Sequence, residues 1–277
     1  MPPAPSPTAA ALPGATPWAR APRERLAGVA GVLTDIDDTL TRDGAIEPAA
    51  LAALQALADV AVPVVAITGR PAGWSEPFAR AWPVAAIVAE NGGVMLRRGE
   101  GGGLRRDFAQ PAAEREANVA RLQACAAAVL RAVPGATLAR DSAGRLTDIA
   151  VDHSEFAHLD AAQVDQVLAV MRAHGLTATV SSIHVNGWIG AHSKWTAAEW
   201  AVPAAAGRRF VPGEWLYVGD STNDQLMFEH LPLSVGVANI ARFWAELHVR
   251  PAWVTAGERG QGFAEVAAAL LAARAGR

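Results

Sequence analysis

The alternation of two kinds of segment constrains this chain more than any other feature. The apolar runs GVLTDID, VPVVAIT and VAAIVAEN read as strands, and they are separated by the helical runs EPAALAALQALAD and GWSEPFARAW. Strand and helix in turn specify a parallel sheet with helices on its faces. The alternation then breaks. From about Met95 the chain is polar and glycine-rich, RRGEGGGLRRD, and a long helix follows from about Pro111 to Val133. ATLARD and RLTDIAVDH, separated by SAG, read as a hairpin, and a second helix runs from about Leu159 to His174. TATVSSIHVNGWIGA reads as one long β stretch or two paired strands. Helix, two strands, helix, two strands is an α+β layer. After it KWTAAEWAVPA, EWLYVGD, NDQLMFEHL, LSVGVAN, AWVT and GFAEVAAALLAARA restore the first pattern. The expected fold class is α/β. A parallel-sheet core spans 23–94 and 191–277, and an α+β domain is inserted at 95–190.

Composition removes several function classes. The 277 residues are 51% hydrophobic, enough for a large core. The formal net charge is -3, so no basic excess points to nucleic acid. No stretch is long and apolar enough to span a membrane. MPPAPSPTAAALPGATPWARAP lacks the apolar core of a signal peptide, and residues 1–22 are expected to be a disordered tail. A soluble, cytoplasmic protein is expected. The single cysteine, Cys125, excludes a disulfide within the chain and reads as a packed apolar residue.

Chemistry concentrates at the ends of the core strands. The first strand ends in Asp35, Asp37 and Asp38. Asp35 and Asp37, two apart, point the same way from a strand end, where open parallel sheets bind ligands. Two carboxylates aimed there make a corner that wants a divalent metal, and oxygen ligands suit Mg²⁺. The second strand ends in Thr68, Gly69 and Arg70, a hydroxyl and an approachable amide suited to a phosphate oxygen. WLYVGDSTND brings Gly219, Asp220, Asn223 and Asp224 to the same edge. Lys194, the only lysine in the chain, opens the helix leading to that strand. Each piece alone reads as a turn, a cap or a surface lysine. Four such signals converging on one edge are hard to explain as four independent caps.

DIDDTLT, ITGR, the isolated Lys194 and GDSTND resemble, in order and spacing, the four motifs of the haloacid dehalogenase-like phosphohydrolases. AENGG, SVGVAN and VTAGERGQGFAEV look like the branch with an α+β cap inserted after the third strand. That branch includes sucrose-phosphate, trehalose-phosphate and mannosyl-3-phosphoglycerate phosphatases and the phosphomannomutases. The resemblance implies a Rossmann-like core and a Mg²⁺-dependent phosphatase acting on a small phosphate ester, most readily a sugar phosphate. It implies that Asp35 is the nucleophile and forms an aspartyl-phosphate, while Asp37 protonates the leaving alcohol and then deprotonates water. Metal contacts fall to Asp35, the main-chain carbonyl of Asp37, Asp220 and Asp224, the last either through water or as an orienting group. Thr68, Gly69, Lys194 and Asn223 are the expected phosphate-binding residues. Asp38 stands where many members have glycine, and its charge has no assigned role.

The inserted layer is then a cap over the site. Ser182, His184 and Asn186 alternate along one stretch and are candidate substrate contacts, against a plain solvent-facing strand edge. Arg105 and Arg106 read as an exposed loop pair, and His192 is not placed in the site. No nucleic-acid or membrane partner is expected, and the chain is a monomer or a weak homo-oligomer. The rival readings are a phosphomutase on the same scaffold, which returns the phosphoryl group to a sugar, and a non-catalytic phosphate- or metal-binding regulator.

Overall fold

A computed structural model describes residues 12–276. In chain order the first elements are α1 (Arg23–Ala27), β1 (Gly31–Thr34), the small pair β2 (Thr41–Arg42) and β3 (Ala45–Ile46), α2 (Pro48–Asp59) and β4 (Val64–Ile67). Next come α3 (Ala72–Ala81), β5 (Ala86–Ala89), β6 (Val94–Arg98), β7 (Leu104–Phe108) and α4 (Ala112–Ala132). They are followed by β8 (Thr137–Leu138), β9 (Asp148–Asp152), α5 (Ala161–Ala173), β10 (Thr177–Val180), β11 (His184–Trp188) and α6 (Lys194–Ala206). The chain closes with β12 (Trp215–Gly219), α7 (Gln225–His230), β13 (Leu233–Gly236), β14 (Trp253–Val254) and α8 (Arg259–Ala275). These elements pack as two units. The first holds the described chain up to Ile67, Trp82–Ala86 and everything from Ala198 on; the second holds Thr68–Ala81 and Ile87–Ala197.

In the first unit, five strands stand in the order β14-β13-β12-β1-β4, and every neighbouring pair is parallel. Val32 of β1 stands opposite Leu216 on one side and Val64 on the other. β1, β4, β12 and β13 are buried at every position, as a parallel sheet covered on both faces requires. Helix α2 buries Ala50, Ala53, Leu54 and Leu57, and α8 buries Phe263, Val266, Ala267 and Leu270; the two helices pack on each other. Each fully buried leucine contributes about 2 kcal/mol.

The segment read as a disordered tail differs from expectation in its second half. Residues 1–11 lie outside the described residues. Beyond them, Pro17 pairs with Val254 in parallel, and the Val254 N–H donates to the Thr16 carbonyl at 2.9 Å. Trp18 is only 5% exposed and meets Trp253 edge to face at 5.9 Å. The indole carries enough apolar area to fix an aperiodic segment, and the backbone pairing extends along the edge strand β14.

In the second unit, β5, β6 and β7 form an antiparallel ribbon against which α3 packs. Arg105 and Arg106 therefore lie on a strand, not in a loop: Arg105 is exposed and paired to Asp107, and Arg106 is paired to Glu76. The glycines Gly101 and Gly102, both at positive φ, supply the turn that returns the chain into β7. The other sheet of this unit has the order β10-β11-β9-β8 and is antiparallel throughout. Helices α4 and α5 pack on it over a core of Leu122, Cys125, Val129, Val151, Met171 and Val185. The stretch expected as the insertion, 95–190, falls inside this unit, which also takes in Thr68–Ala81, 87–94 and 191–197. Among the described residues no helix is long and apolar enough to cross a membrane.

Candidate active site

β1 and β12 are neighbours, with Thr34 opposite Val218, and each hands its carboxyl end to an aspartate. Asp35 follows β1, and its N–H donates to the Val218 carbonyl at 2.9 Å. Asp220 follows β12. Asp35, Asp220 and Asp224 are all buried, and a carboxylate oxygen from each lies within 4.8 Å of the other two. Three buried like charges this close repel, and each is costly to desolvate.

Part of the compensation is built from hydrogen bonds. One Asp224 oxygen accepts from the N–H groups of Asp220 (2.9 Å) and Ser221 (3.0 Å), and the other accepts from the Tyr217 hydroxyl. Burial, and then the charges of Asp224 and Asp35, push the Tyr217 phenol well above its ordinary range, so it remains a donor. Asn239 donates to one oxygen of Asp220 at 3.1 Å. The donor set is oxygen only and strongly anionic, which fits a hard divalent cation. Asp37 lies half-buried in the turn after β1, outside this trio. Asn223 is half-buried, and its side-chain oxygen accepts from Ser221 Oγ at 3.0 Å.

Asp38 now has a structural role. It sits at φ 55°, in the left-handed region, and its carboxylate accepts from Arg259 Nε at 2.6 Å and Arg242 Nη1 at 3.5 Å. Its main-chain carbonyl accepts from Asn239 Nδ2 at 2.9 Å, and the Arg259 N–H donates to Asn239 Oδ1 at 2.9 Å. Asn239 thus ties Asp38 and Arg259 to Asp220 of the buried acidic cluster. Tyr217, Asn239 and Arg259 were not foreseen as site residues. SVGVAN carried a faint signal for Asn239, but nothing in the chain announces which side chain its amide will meet.

The other expected residues belong to the second unit. Thr68 is buried, and its Oγ1 accepts from the Arg70 N–H at 3.0 Å. Asn186 is brought to Gly69, donating to its carbonyl at 3.1 Å. His184 shares a strand face with Asn186 but pairs through Nε2 with Glu155 at 3.0 Å. β11 begins at His184, so Ser182 lies in the turn before it, where its carbonyl accepts from Ser154 Oγ. Lys194 is 2% exposed at the first position of α6. That helix start is held by a reciprocal pair, Ser193 N–H to Thr196 Oγ1 at 2.9 Å and Thr196 N–H to Ser193 Oγ at 3.2 Å. A side chain at Gly92 (φ 111°) would meet the Ser193 carbonyl at 2.4 Å, so only glycine lets the AENGG turn approach this helix start.

The sequence assigns no role to Glu90 or Glu155 and announces none of the contacts that hold the buried charged groups of this unit. Glu90 is fully buried and accepts from the N–H groups of Ala72, Leu146 and Thr147 and from the Thr147 hydroxyl. Burial, and then the Asp148 charge, still raise its carboxyl to about 7. Arg70 is held by Glu155 at 2.8 Å and Asp141 at 3.2 Å. Burial pushes the Glu155 carboxyl up, but hydrogen bonds from His184 and Arg70 outweigh it and leave it at about 2. His192 is buried beside Trp188, and burial lowers its imidazole to about 4.

A family profile described as haloacid dehalogenase-like hydrolase matches residues 32–113, the segment carrying Asp35, Asp37, Thr68 and Gly69. That segment is similar to the haloacid dehalogenase-like hydrolases. The chain is 28% identical over 247 residues to a protein of Methanoculleus marisnigri named phosphoglycolate phosphatase, covering 84% of this chain and 93% of the relative. In fold it resembles a Thermoplasma acidophilum protein with a TM-score of 0.66 at 19% identity, over 88% of this chain and 98% of the other. It also resembles the sucrose-phosphatase of Synechocystis, solved with sucrose and phosphate, with a TM-score of 0.61 at 16% identity, over 87% and 98% of the two chains.

Proposed function

We propose that this protein is a haloacid dehalogenase-like hydrolase that removes the phosphoryl group from a small phosphate ester, a sugar phosphate, in the cytoplasm, with Mg²⁺ bound and through an aspartyl-phosphate on Asp35. The observation that carries the reading is the convergence of Asp35, Asp220 and Asp224 at the carboxyl ends of two adjacent parallel strands. That cluster, with Asn239 on Asp220 and Tyr217 on Asp224, fits a hard divalent cation. When bound, Mg²⁺ neutralises charge on the transferring phosphoryl group.

In the proposed cycle an Asp35 oxygen attacks phosphorus. The ester P–O bond breaks, and the leaving alcohol takes its proton from Asp37. Asp37, now ionised, removes a proton from water; the hydroxide attacks phosphorus, the Asp35–phosphorus bond breaks, and phosphate leaves. Asp224 has both oxygens committed to donors, which suits an orienting group more than a nucleophile or base. Thr68 and Gly69 follow β4 directly in sequence, and with Lys194 and Asn223 they are proposed to hold the phosphoryl oxygens. Removing Asp35 by Asp35→Asn is then expected to abolish turnover.

The sugar preference has support in the second unit. Its buried guanidiniums are matched by carboxylates: Arg70 by Glu155 and Asp141, Arg145 by Asp148 and Asp141. An anionic leaving group such as glycolate calls for an uncommitted cation, whereas a polyhydroxyl group is satisfied by neutral and acidic partners. The test is phosphate release from neutral sugar phosphates, phosphoglycolate and an aryl phosphate, with Mg²⁺ and with chelator. Metal-dependent release led by a sugar phosphate supports the reading. Release led by phosphoglycolate refutes the substrate class, and release unaffected by chelator refutes the metal.

A further inference from the structure

We propose that Arg145, Asn186 and Asp148 are positioning residues that set the Thr68–Gly69 turn for the phosphoryl group. The inference rests on the reading that this turn binds phosphoryl oxygens. All the residues named belong to the second unit.

The turn is held by its carbonyls. Thr68 O accepts from the Asn91 N–H at 2.9 Å, and Arg70 O accepts from the Glu90 N–H at 2.9 Å. Between them, Gly69 O accepts two side-chain donors, Arg145 Nη1 at 3.0 Å and Asn186 Nδ2 at 3.1 Å. Those two donors share one anchor. Both Asp148 oxygens accept from Arg145 Nη1, at 2.9 and 2.8 Å, and Asp148 Oδ2 also accepts from Asn186 Nδ2 at 3.0 Å. Asp148 and Asn186 are buried, and the Arg145 side chain is almost fully so.

Peptide geometry carries this clamp to the reacting groups. A peptide unit is planar, so fixing its carbonyl fixes the N–H on its other side. Gly69 O shares a peptide with the Arg70 N–H, and that N–H donates to Thr68 Oγ1 at 3.0 Å. Holding Gly69 O therefore holds the N–H from which the threonine hydroxyl oxygen accepts. Thr68 O shares a peptide with the Gly69 N–H, so the bond from Asn91 aims that amide in the same way. The side chains crowd closely: a Cβ at Gly69 would lie 3.1 Å from Asn186 Oδ1 and 3.3 Å from Asn91 Nδ2. A side chain here would press on the amides of Asn186 and Asn91.

A buried ion pair and amide are an uneconomical way to fill a core, since apolar groups of the same volume serve stability as well or better. Their convergence on one carbonyl next to a proposed phosphate-binding hydroxyl points to positioning, where displacements of about 1 Å cost up to hundredfold in rate.

The test uses the full chain with Mg²⁺. Arg145→Lys and Asn186→Ala are made alone and on a Thr68→Ala background, and kcat, KM and inhibition by inorganic phosphate are measured alongside thermal unfolding. Each single variant is expected to lower kcat by about ten- to hundredfold with KM nearly unchanged, and to weaken phosphate inhibition. On the Thr68→Ala background the same substitution is expected to lose most of that effect, because coupled groups are not additive. Full additivity, or unchanged kcat and phosphate inhibition in a folded variant, overturns the proposal. If Arg145→Lys unfolds, Asn186→Ala leaves the Arg145–Asp148 pair in place and carries the same expectations. Thr68→Ala with normal kcat and normal phosphate inhibition instead overturns the underlying reading of the turn, which distinguishes the two failures.

Discussion

Tyr217, the only tyrosine of the chain, donates its buried hydroxyl to one oxygen of Asp224 while two backbone N–H groups hold the other. A strand residue thereby fixes a carboxylate of the proposed metal corner that lies seven positions later. Tyr217→Phe keeps the ring and removes only the donor. The variant is expected to fold, to lose about 1–3 kcal/mol of stability in urea unfolding, and to bind Mg²⁺ about tenfold more weakly by calorimetry. Unchanged Mg²⁺ affinity would remove Tyr217 from any metal-orienting role.

Asn239 joins Asp220 to the Asp38 carbonyl and to the Arg259 backbone. Asn239→Ala is expected to weaken Mg²⁺ binding by about ten- to hundredfold. The Asp38 carboxylate acts one step further out, through Arg259, so Asp38→Asn is expected to shift Mg²⁺ affinity less than Asn239→Ala. The reverse ranking in titration calorimetry contradicts this order of influence.

Glu90 makes stability depend on pH. Its folded-state value is raised to about 7 from an ordinary value of 4.5. Below 4.5 the group is protonated in both folded and unfolded chains, and its stabilising effect is complete. Between 4.5 and about 7 the unfolded chain releases the proton while the folded chain keeps it, so stability falls as pH rises. The loss amounts to about 3 kcal/mol at this one group, by the free energy of a pKa shift. Unfolding free energy is expected to decline over that window in the natural protein and to be flatter in Glu90→Gln. Parallel pH profiles for the two proteins would show that Glu90 ionises in the folded state as it does unfolded.

Trp18 anchors the residues before α1 against β14 and α8, with its indole N–H directed at the Glu265 carbonyl at 3.4 Å. Trp18→Ala is expected to cost about 3–5 kcal/mol in chemical unfolding. A loss below about 1 kcal/mol, the typical scale of a surface substitution, would show that this segment packs too loosely to matter.

What could be read from the chain, and what could not, divides along physical lines. Asp35, Asp220 and Asp224 were legible because uninterrupted apolar runs identify buried parallel strands, and acids at the ends of such runs have few other reasons to be there. The β8–β9 pair was legible from two β-rich runs parted by turn residues, whereas TATVSSIHVNGWIGA read equally as one long strand or as the pair β10–β11. Trp18 was not, because one large side chain can order a segment with no periodicity. The strand carrying Arg105 and Arg106 was hidden by glycines that supply only its turn. The clamp of Arg145, Asp148 and Asn186 on Gly69 joins residues up to 117 positions apart, and no local pattern announces it.

The central claim is that Asp35 carries the phosphoryl group. The most direct measurement is acid quench during turnover of a sugar phosphate with Mg²⁺, followed by peptide mass analysis, for the natural protein and for Asp35→Asn. A phosphoryl adduct on the peptide containing Asp35, absent together with phosphate release in Asp35→Asn, is the predicted result. Phosphate release by a folded Asp35→Asn protein, or an adduct on a different peptide, would contradict it.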